Sequence, residues 1–157
     1  MAARHGVNDR MAGFKGQAEY SVDSKGRVAI PARMRNVLNP EAKGTFTITR
    51  GFERCIFAYP MDQWVTIEAE MSSLNAYNKD ARAFMRSILM WADEVTLDGQ
   101  GRISIPKPLA EFAGVSDRAL IIGTLDRIEI WNPDAFKRYM DEQADEYETL
   151  AEQVMGR

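Results

Sequence analysis

The sequence predicts a mixed β/α protein, mainly β, built from two copies of one ββαββ module packed about a pseudo-twofold axis. Linker helices join the copies, and a further helix ends the chain. Three observations carry this prediction. The first is an internal repeat: Tyr20-Ser-Val-Asp23-Ser-Lys25-Gly26-Arg27-Val-Ala-Ile30-Pro31 matches Val95-Thr-Leu-Asp98-Gly-Gln-Gly101-Arg102-Ile-Ser-Ile105-Pro106 at an offset of 75. Downstream, Thr47 to Pro60 resembles Leu120 to Pro133 at an offset of 73, so that Arg54 meets Arg127 and Phe57 meets Ile130. The second is period-2 alternation of apolar and polar residues within these segments, the pattern of half-buried strands. The third is size: one module of about 45 residues is too small to bury an adequate core alone, and two copies packed on each other solve this.

Taken in order, residues 1–13 are polar and are expected to be a disordered extension, with Met11 a second candidate start. In the first copy, Tyr20, Val22, Val28 and Ile30 face inward. Ser24-Lys25-Gly26 forms a three-residue hairpin loop, and Gly26 takes the left-handed bulge position that glycine adopts without a Cβ penalty. Asp23 and Arg27 then stand opposite each other on the polar face. Pro31 suits the first turn of a short helix near Ala32 to Leu38, where a missing N–H is harmless. A second hairpin follows: Phe46 and Ile48 alternate with threonines, the turn centres on Gly51, and Cys55 to Tyr59 returns.

Met61 to Leu74 and Asp80 to Trp91 read as two linker helices, with Asn78 as N-cap of the second. Phe84, Ile88 and Trp91 fall on one helical face, with Met85 and Leu89 beside it, and read as an ordinary packing face. The second copy repeats the plan. Val95, Leu97, Ile103 and Ile105 point inward, and Thr96, Asp98, Arg102 and Ser104 outward. Gly101 holds the bulge position, Gly114 caps a helix over Lys107 to Ala113, and Leu120 to Ile122 pairs with Ile128 and Ile130. Asp134 to Glu152 is a predicted amphipathic helix through Phe136, Tyr139, Met140, Tyr147 and Leu150. The expected organisation is an extension (1–13), a first domain (14–60), a helical linker (61–92), a second domain (93–136) and an acidic helix and tail (137–157).

Composition narrows the function classes. The chain of 157 residues has one cysteine, Cys55, and one histidine, His5, so a zinc site of three or four Cys and His ligands cannot be assembled. A nucleophilic pair would have to recruit that histidine from the N-terminal stretch. Phosphate-binding glycine loops are absent, and no spacing marks a pair of catalytic carboxylates. An enzyme is not expected, nor are cofactors, metals or a small-molecule substrate. Without a long apolar run, a membrane partner is not expected either, and a single cysteine fits a reducing, cytoplasmic setting. Net charge is −3, but it is unevenly spread. Through Ala58 there are ten Lys or Arg against five Asp or Glu; beyond it there are ten against eighteen. A polyanion responds to the local field rather than the chain total. Lys15, Lys25, Arg27, Arg33 and Arg35 gather in the basic half, and 141–152 is acidic.

The string Val22-Asp23-Ser-Lys25-Gly26-Arg27-Val-Ala-Ile-Pro31, with its second Asp98 to Arg102 motif, resembles the MraZ family. Phe14-x-Gly16 and Arg127-x-Glu129-Ile-Trp131 add to the likeness, which runs from Phe14 to about Tyr139. The chain departs from the family pattern in its extra N-terminal residues and in Gly99-Gln100-Gly101, a less basic second loop. The resemblance implies two AbrB-like swapped-hairpin domains forming a barrel. It also implies a nucleoid-associated transcriptional regulator that acts on the division and cell-wall gene cluster and assembles into rings of identical chains.

On that reading Arg27, Lys25, Arg33, Arg35 and Lys15 contact double-stranded DNA, with Arg102 a lesser candidate. Arginine suits this role because its planar fork pairs with phosphate or bidentately with guanine. Asp23 and Asp98 fix the arginine side chains, and Gly26 and Gly101 make the turns. The alternative is an AbrB-like protein-interaction or antitoxin-type module, in which the Asp/Arg pairs only staple hairpins and the acidic tail and apolar helices bind protein partners.

Overall fold

Short apolar–polar alternations become eight strands in the computed structural model, which describes residues 11–143 and 145–156. The strands are β1 Gln17–Ser21, β2 Arg27–Ala29, β3 Thr45–Arg50, β4 Ile56–Pro60, β5 Asp93–Thr96, β6 Arg102–Ser104, β7 Arg118–Gly123 and β8 Ile128–Trp131. Six α-helices accompany them among the described residues: α1 Ala32–Arg35, α2 Met61–Ser72, α3 Lys79–Leu89, α4 Lys107–Ala113, α5 Pro133–Asp141 and α6 Tyr147–Met155. His5 and most of the expected N-terminal extension lie outside the described residues. Of the remainder, Ala12 packs against the core and Gly13 N–H donates to Leu125 O at 3.0 Å.

The topology is a symmetric exchange between the two copies. Six strands form an antiparallel sheet in the order β1-β7-β8-β4-β3-β5, and β2 pairs with β6 in a separate ribbon. The first strand of each copy therefore pairs with the third strand of the other. Exchanging the copies reverses the sheet order onto itself. The registers locate the pseudo-twofold axis, since Val28 pairs with Ile103 and Phe57 with Glu129, each a residue and its own counterpart.

Three expectations change in detail. β1 and β2 do not form a ladder with each other. Only the loop between them closes on itself, through Asp23 N–H to Arg27 O at 3.1 Å and Gly26 N–H to Asp23 O at 3.0 Å. The sheet ends at β1 and β5, so its hydrogen bonding does not close into a barrel. In the fourth strands the true offset is 72. Ile56 and Ala58 share the inner core with Ile128 and Ile130, while Phe57 is the counterpart of Glu129 rather than Ile130. The cause is the connecting loop, which runs 51–55 in the first copy and 124–127 in the second, one residue shorter.

Two apolar layers flank the sheet. One face packs on the β2–β6 ribbon, α1 and α4 through Phe46, Ile48, Ile121, Ile128, Val28 and Ile103, all buried. The other carries Phe57, Tyr59, Leu120 and Trp131, covered by Trp64 and Met71 of α2, Ile88 of α3, and Phe136 and Tyr139 of α5. Thr49 Oγ1 donates to Ile88 O at 2.6 Å and ties α3 to the sheet. Asn78 caps α3 as expected, its side chain accepting from Ala81 N–H at 3.0 Å. The α3 packing face is only partly covered: Ile88 is buried, but Phe84 and Leu89 are about two-fifths exposed. The C-terminal helix is broken in two between Asp141 and Tyr147. Asp141 and Glu142 place negative charge at the carbonyl end of α5, where the helix dipole disfavours it, whereas Glu146 stands at the start of α6, where the dipole favours it.

Candidate nucleic-acid interface

The exchange of strands brings both Asp/Arg motifs to one place. In the β2–β6 ribbon, Arg27 lies opposite Ser104 and Ala29 opposite Arg102, while the Val28–Ile103 pair between them points into the core. Arg27 and Arg102 are thus diagonal neighbours on the outer face, a relation that sets them about 7–8 Å apart. Ala29 and Ser104 beside them are too small to cover them.

Each arginine is held by its aspartate in the same way. Asp23 Oδ1 accepts the backbone N–H of Lys25 at 3.0 Å and of Arg27 at 2.9 Å, and its Oδ2 accepts Arg27 Nε at 2.7 Å. Asp98 Oδ1 accepts from Gln100 and Arg102 N–H at 2.9 and 3.0 Å, and Oδ2 from Arg102 Nε at 2.9 Å. The two motifs also touch, with Arg102 Nη1 lying 3.7 Å from Asp23 Oδ2. Backbone N–H donation from Arg27 and Arg102, ahead of their guanidinium contacts, holds both carboxyls below the ordinary aspartate range. Both are therefore ionised at neutral pH. Because each aspartate grips the Nε edge, no acceptor among the described residues engages the Nη groups of Arg27. A guanidinium fixed at one edge and unengaged at the other is a pre-oriented donor for phosphate or a base edge.

The bulge glycines explain why the loops sit so close to the ribbon. Gly26 and Gly101 have φ of +77° and +74°, and a Cβ on Gly26 would stand 3.0 Å from Ile105 O. The loops dock across the copies: Ile105 N–H donates to Gly26 O at 2.8 Å and Ile30 N–H to Gly101 O at 2.9 Å.

Of the sequence-derived residues, Lys25, Arg27 and Arg102 share this outer face with Asp23, Asp98 and the two glycines. Arg35 lies against the second loop, its Nε donating to Ile30 O at 2.9 Å and its guanidinium packed on Gly101. Arg33 and Lys15 are elsewhere. Arg33 Nη2 donates to Gln17 O at 3.1 Å beside Gly16, and Lys15 Nζ to Gly13 O at 3.1 Å, both near the far end of β1 from the loop. Sequence reading missed Lys107, which lines a cavity with Lys25. The signal lay in strand exchange, which the offsets alone do not disclose.

Other conspicuous groups serve packing. Arg127 stacks 4.3 Å from the Phe57 ring centre and pairs with Asp126 at 2.9 Å, and Trp131 Nε1 donates to Glu129 at 2.9 Å. Burial pushes the Cys55 thiol up to about 12, so it is not a thiolate nucleophile. Among the described residues, no group of three His, Cys, Asp or Glu is placed to hold a metal, and no helix is long and apolar enough to cross a membrane. Compared with known families, residues 14–87 and again 88–157 match the model described as "MraZ protein, putative antitoxin-like".

Proposed function

Because the chain belongs to the MraZ family, with two repeated domains, we propose that it is a sequence-specific DNA-binding transcriptional regulator. In this reading it acts at the promoter of the division and cell-wall gene cluster, is nucleoid-associated and works as a ring of identical chains. The observation that carries the reading is the pair of guanidiniums on the outer face of the β2–β6 ribbon, each held at Nε by its own aspartate. Arg27 reads a base edge or clamps a phosphate, Lys25 meets phosphate as a flexible point charge, and Arg102 repeats the Arg27 role across the pseudo-twofold axis. Arg35 supports the second loop. Arg33 and Lys15 are remote from that face and contribute only to the wider field.

The carboxylates temper the local charge, since Lys25, Arg27 and Arg102 exceed Asp23 and Asp98 by one. A single copy then makes few ionic contacts and binds weakly. A ring raises avidity by presenting many such faces to successive operator repeats, through effective concentration rather than new contacts. Large exposed apolar residues suit self-association, among them Phe52, Tyr77 and Met90.

A second reading, a protein-binding antitoxin-type module, is favoured by the family description and by the exposed apolar side of α6, Tyr147, Val154 and Met155. Pull-down of fragmented genomic DNA separates the two. The wild type is expected to enrich promoter fragments and Arg27→Ala to lose them; equal, unselective recovery by both contradicts DNA reading.

A further inference from the structure

The two loops are related by the pseudo-twofold axis, but their surroundings are not. Beside the second loop the Arg35 side chain fills the space, so that a Cβ on Gly101 would lie 2.7 Å from Arg35 Nε and 2.8 Å from Cζ. The repeat places Ala110 at the position equivalent to Arg35. Beside the first loop, accordingly, a Cβ on Gly26 meets only the backbone of Ile105. A methyl group cannot occupy the volume of an arginine, and a cavity of about 420 Å³ remains.

Its wall is built from both copies. Ser24 and Lys25 come from the first loop, and Lys107, Ala110 and Ser116 from around α4. Both lysines are exposed, and among the described residues neither forms a salt bridge. Asp23 also borders the cavity, but both of its oxygens are committed to Arg27 and to the loop backbone. The Ser116 hydroxyl is committed to Asp117, Oγ donating to Oδ1 at 2.7 Å. The ammonium groups of Lys25 and Lys107 and the Ser24 hydroxyl, on residues that line an open cleft, are the donors left for a tetrahedral oxyanion.

We propose that this cleft seats a phosphate group of the DNA backbone between Lys25 and Lys107, making Lys107 a DNA-contacting residue supplied by the second domain to the first loop. The proposal rests on the DNA-binding reading and extends it. A duplex lying over Arg27 continues across this loop, with a strand phosphate about every 3.4 Å of helix axis, so one falls within reach of the cleft. Such a contact positions the protein on the duplex and carries no sequence information.

The test is fluorescence anisotropy with the full chain, using a promoter duplex and its scrambled counterpart across about 50–200 mM salt. Lys107→Ala is expected to weaken both duplexes similarly, about three- to tenfold, and to lower the slope of log K against log salt by about one. Lys107→Arg is expected to restore the slope. Lys79→Ala, an exposed lysine on α3 across the sheet, is expected to leave it unchanged. If Lys107→Ala matches wild type while Arg27→Ala is weakened, the phosphate seat is overturned and the ribbon reading stands. An equal loss in Lys79→Ala overturns a local contact, because the general field would then explain it. Inorganic phosphate shifting the Lys107 signals in NMR, with no Lys107→Ala effect on DNA, overturns the backbone assignment. Failure of wild type to bind either duplex overturns both readings.

Discussion

Asp23 and Asp98 determine how their arginines are presented. Each spends one oxygen on two backbone N–H groups and the other on a guanidinium Nε, so the loop and the side chain are fixed together. Both carboxyls titrate below their ordinary range, first through backbone donation and then through the arginines. A carboxyl whose folded value is depressed lends stability that is complete above its unfolded value and is lost as pH falls through the folded one. The difference in Tm between wild type and Asp23→Asn/Asp98→Asn is therefore expected to stay constant from about pH 5 to 8 and to shrink below about pH 4. A change in that difference near pH 6 would contradict this assignment. At this scale the sequence was informative where chemistry is local. The spacing from Asp23 to Arg27 places the pair across a tight turn, and the ion pair is present at 2.7 Å. It did not disclose that Lys107 lies beside the cavity lined by Lys25, or that Lys15 and Arg33 stand at the other end of β1 from the loop, because linear proximity to a loop says nothing about which end of a strand a residue occupies.

At the level of elements, each copy's helix and strands follow from alternation and proline, but their partners do not. Pairing of β1 with β7 and of β3 with β5 is a long-range choice, made because each copy's first strand completes the other copy's sheet. Period-2 patterning specifies the face of a strand and leaves its neighbour open. The shift from 73 to 72 in the fourth strand was hidden for a related reason: aligned prolines and arginines in the loop masked a one-residue shortening. Acidic residues at the end of α5 and the start of α6 favour ending one helix and beginning another, against an amphipathic pattern that continues through them. The segment before β1 is seated by a close approach, since a Cβ on Gly123 would lie 2.5 Å from Lys15 N and 2.7 Å from Phe14 C. Gly123→Ala is expected to destabilise the fold by about 1–3 kcal/mol, with exchange protection lost first at Phe14. Thermal denaturation and hydrogen exchange check this, and an unchanged Tm would contradict the close packing.

Across the whole molecule, duplication solves a stability problem and creates a surface. Strand exchange makes the two copies share one core, and the same exchange sets Arg27 and Arg102 side by side about the pseudo-twofold axis. The sequence segregates its charge, and the fold sets Lys25, Arg27 and Arg102 among Asp23 and Asp98 with an excess of one positive charge. On the proposed DNA-binding reading, so small an excess needs multiplicity to bind tightly. Light scattering is accordingly expected to give a mass several times 17.8 kDa, and a clean monomer would remove the ring from the mechanism.

The most direct test of the ribbon face is the affinity of Arg27→Ala for a promoter duplex, read by anisotropy alongside wild type at fixed salt. Loss of one guanidinium contact is expected to weaken binding roughly 10- to 100-fold, with the scattering mass unchanged. Affinity within twofold of wild type would contradict the account.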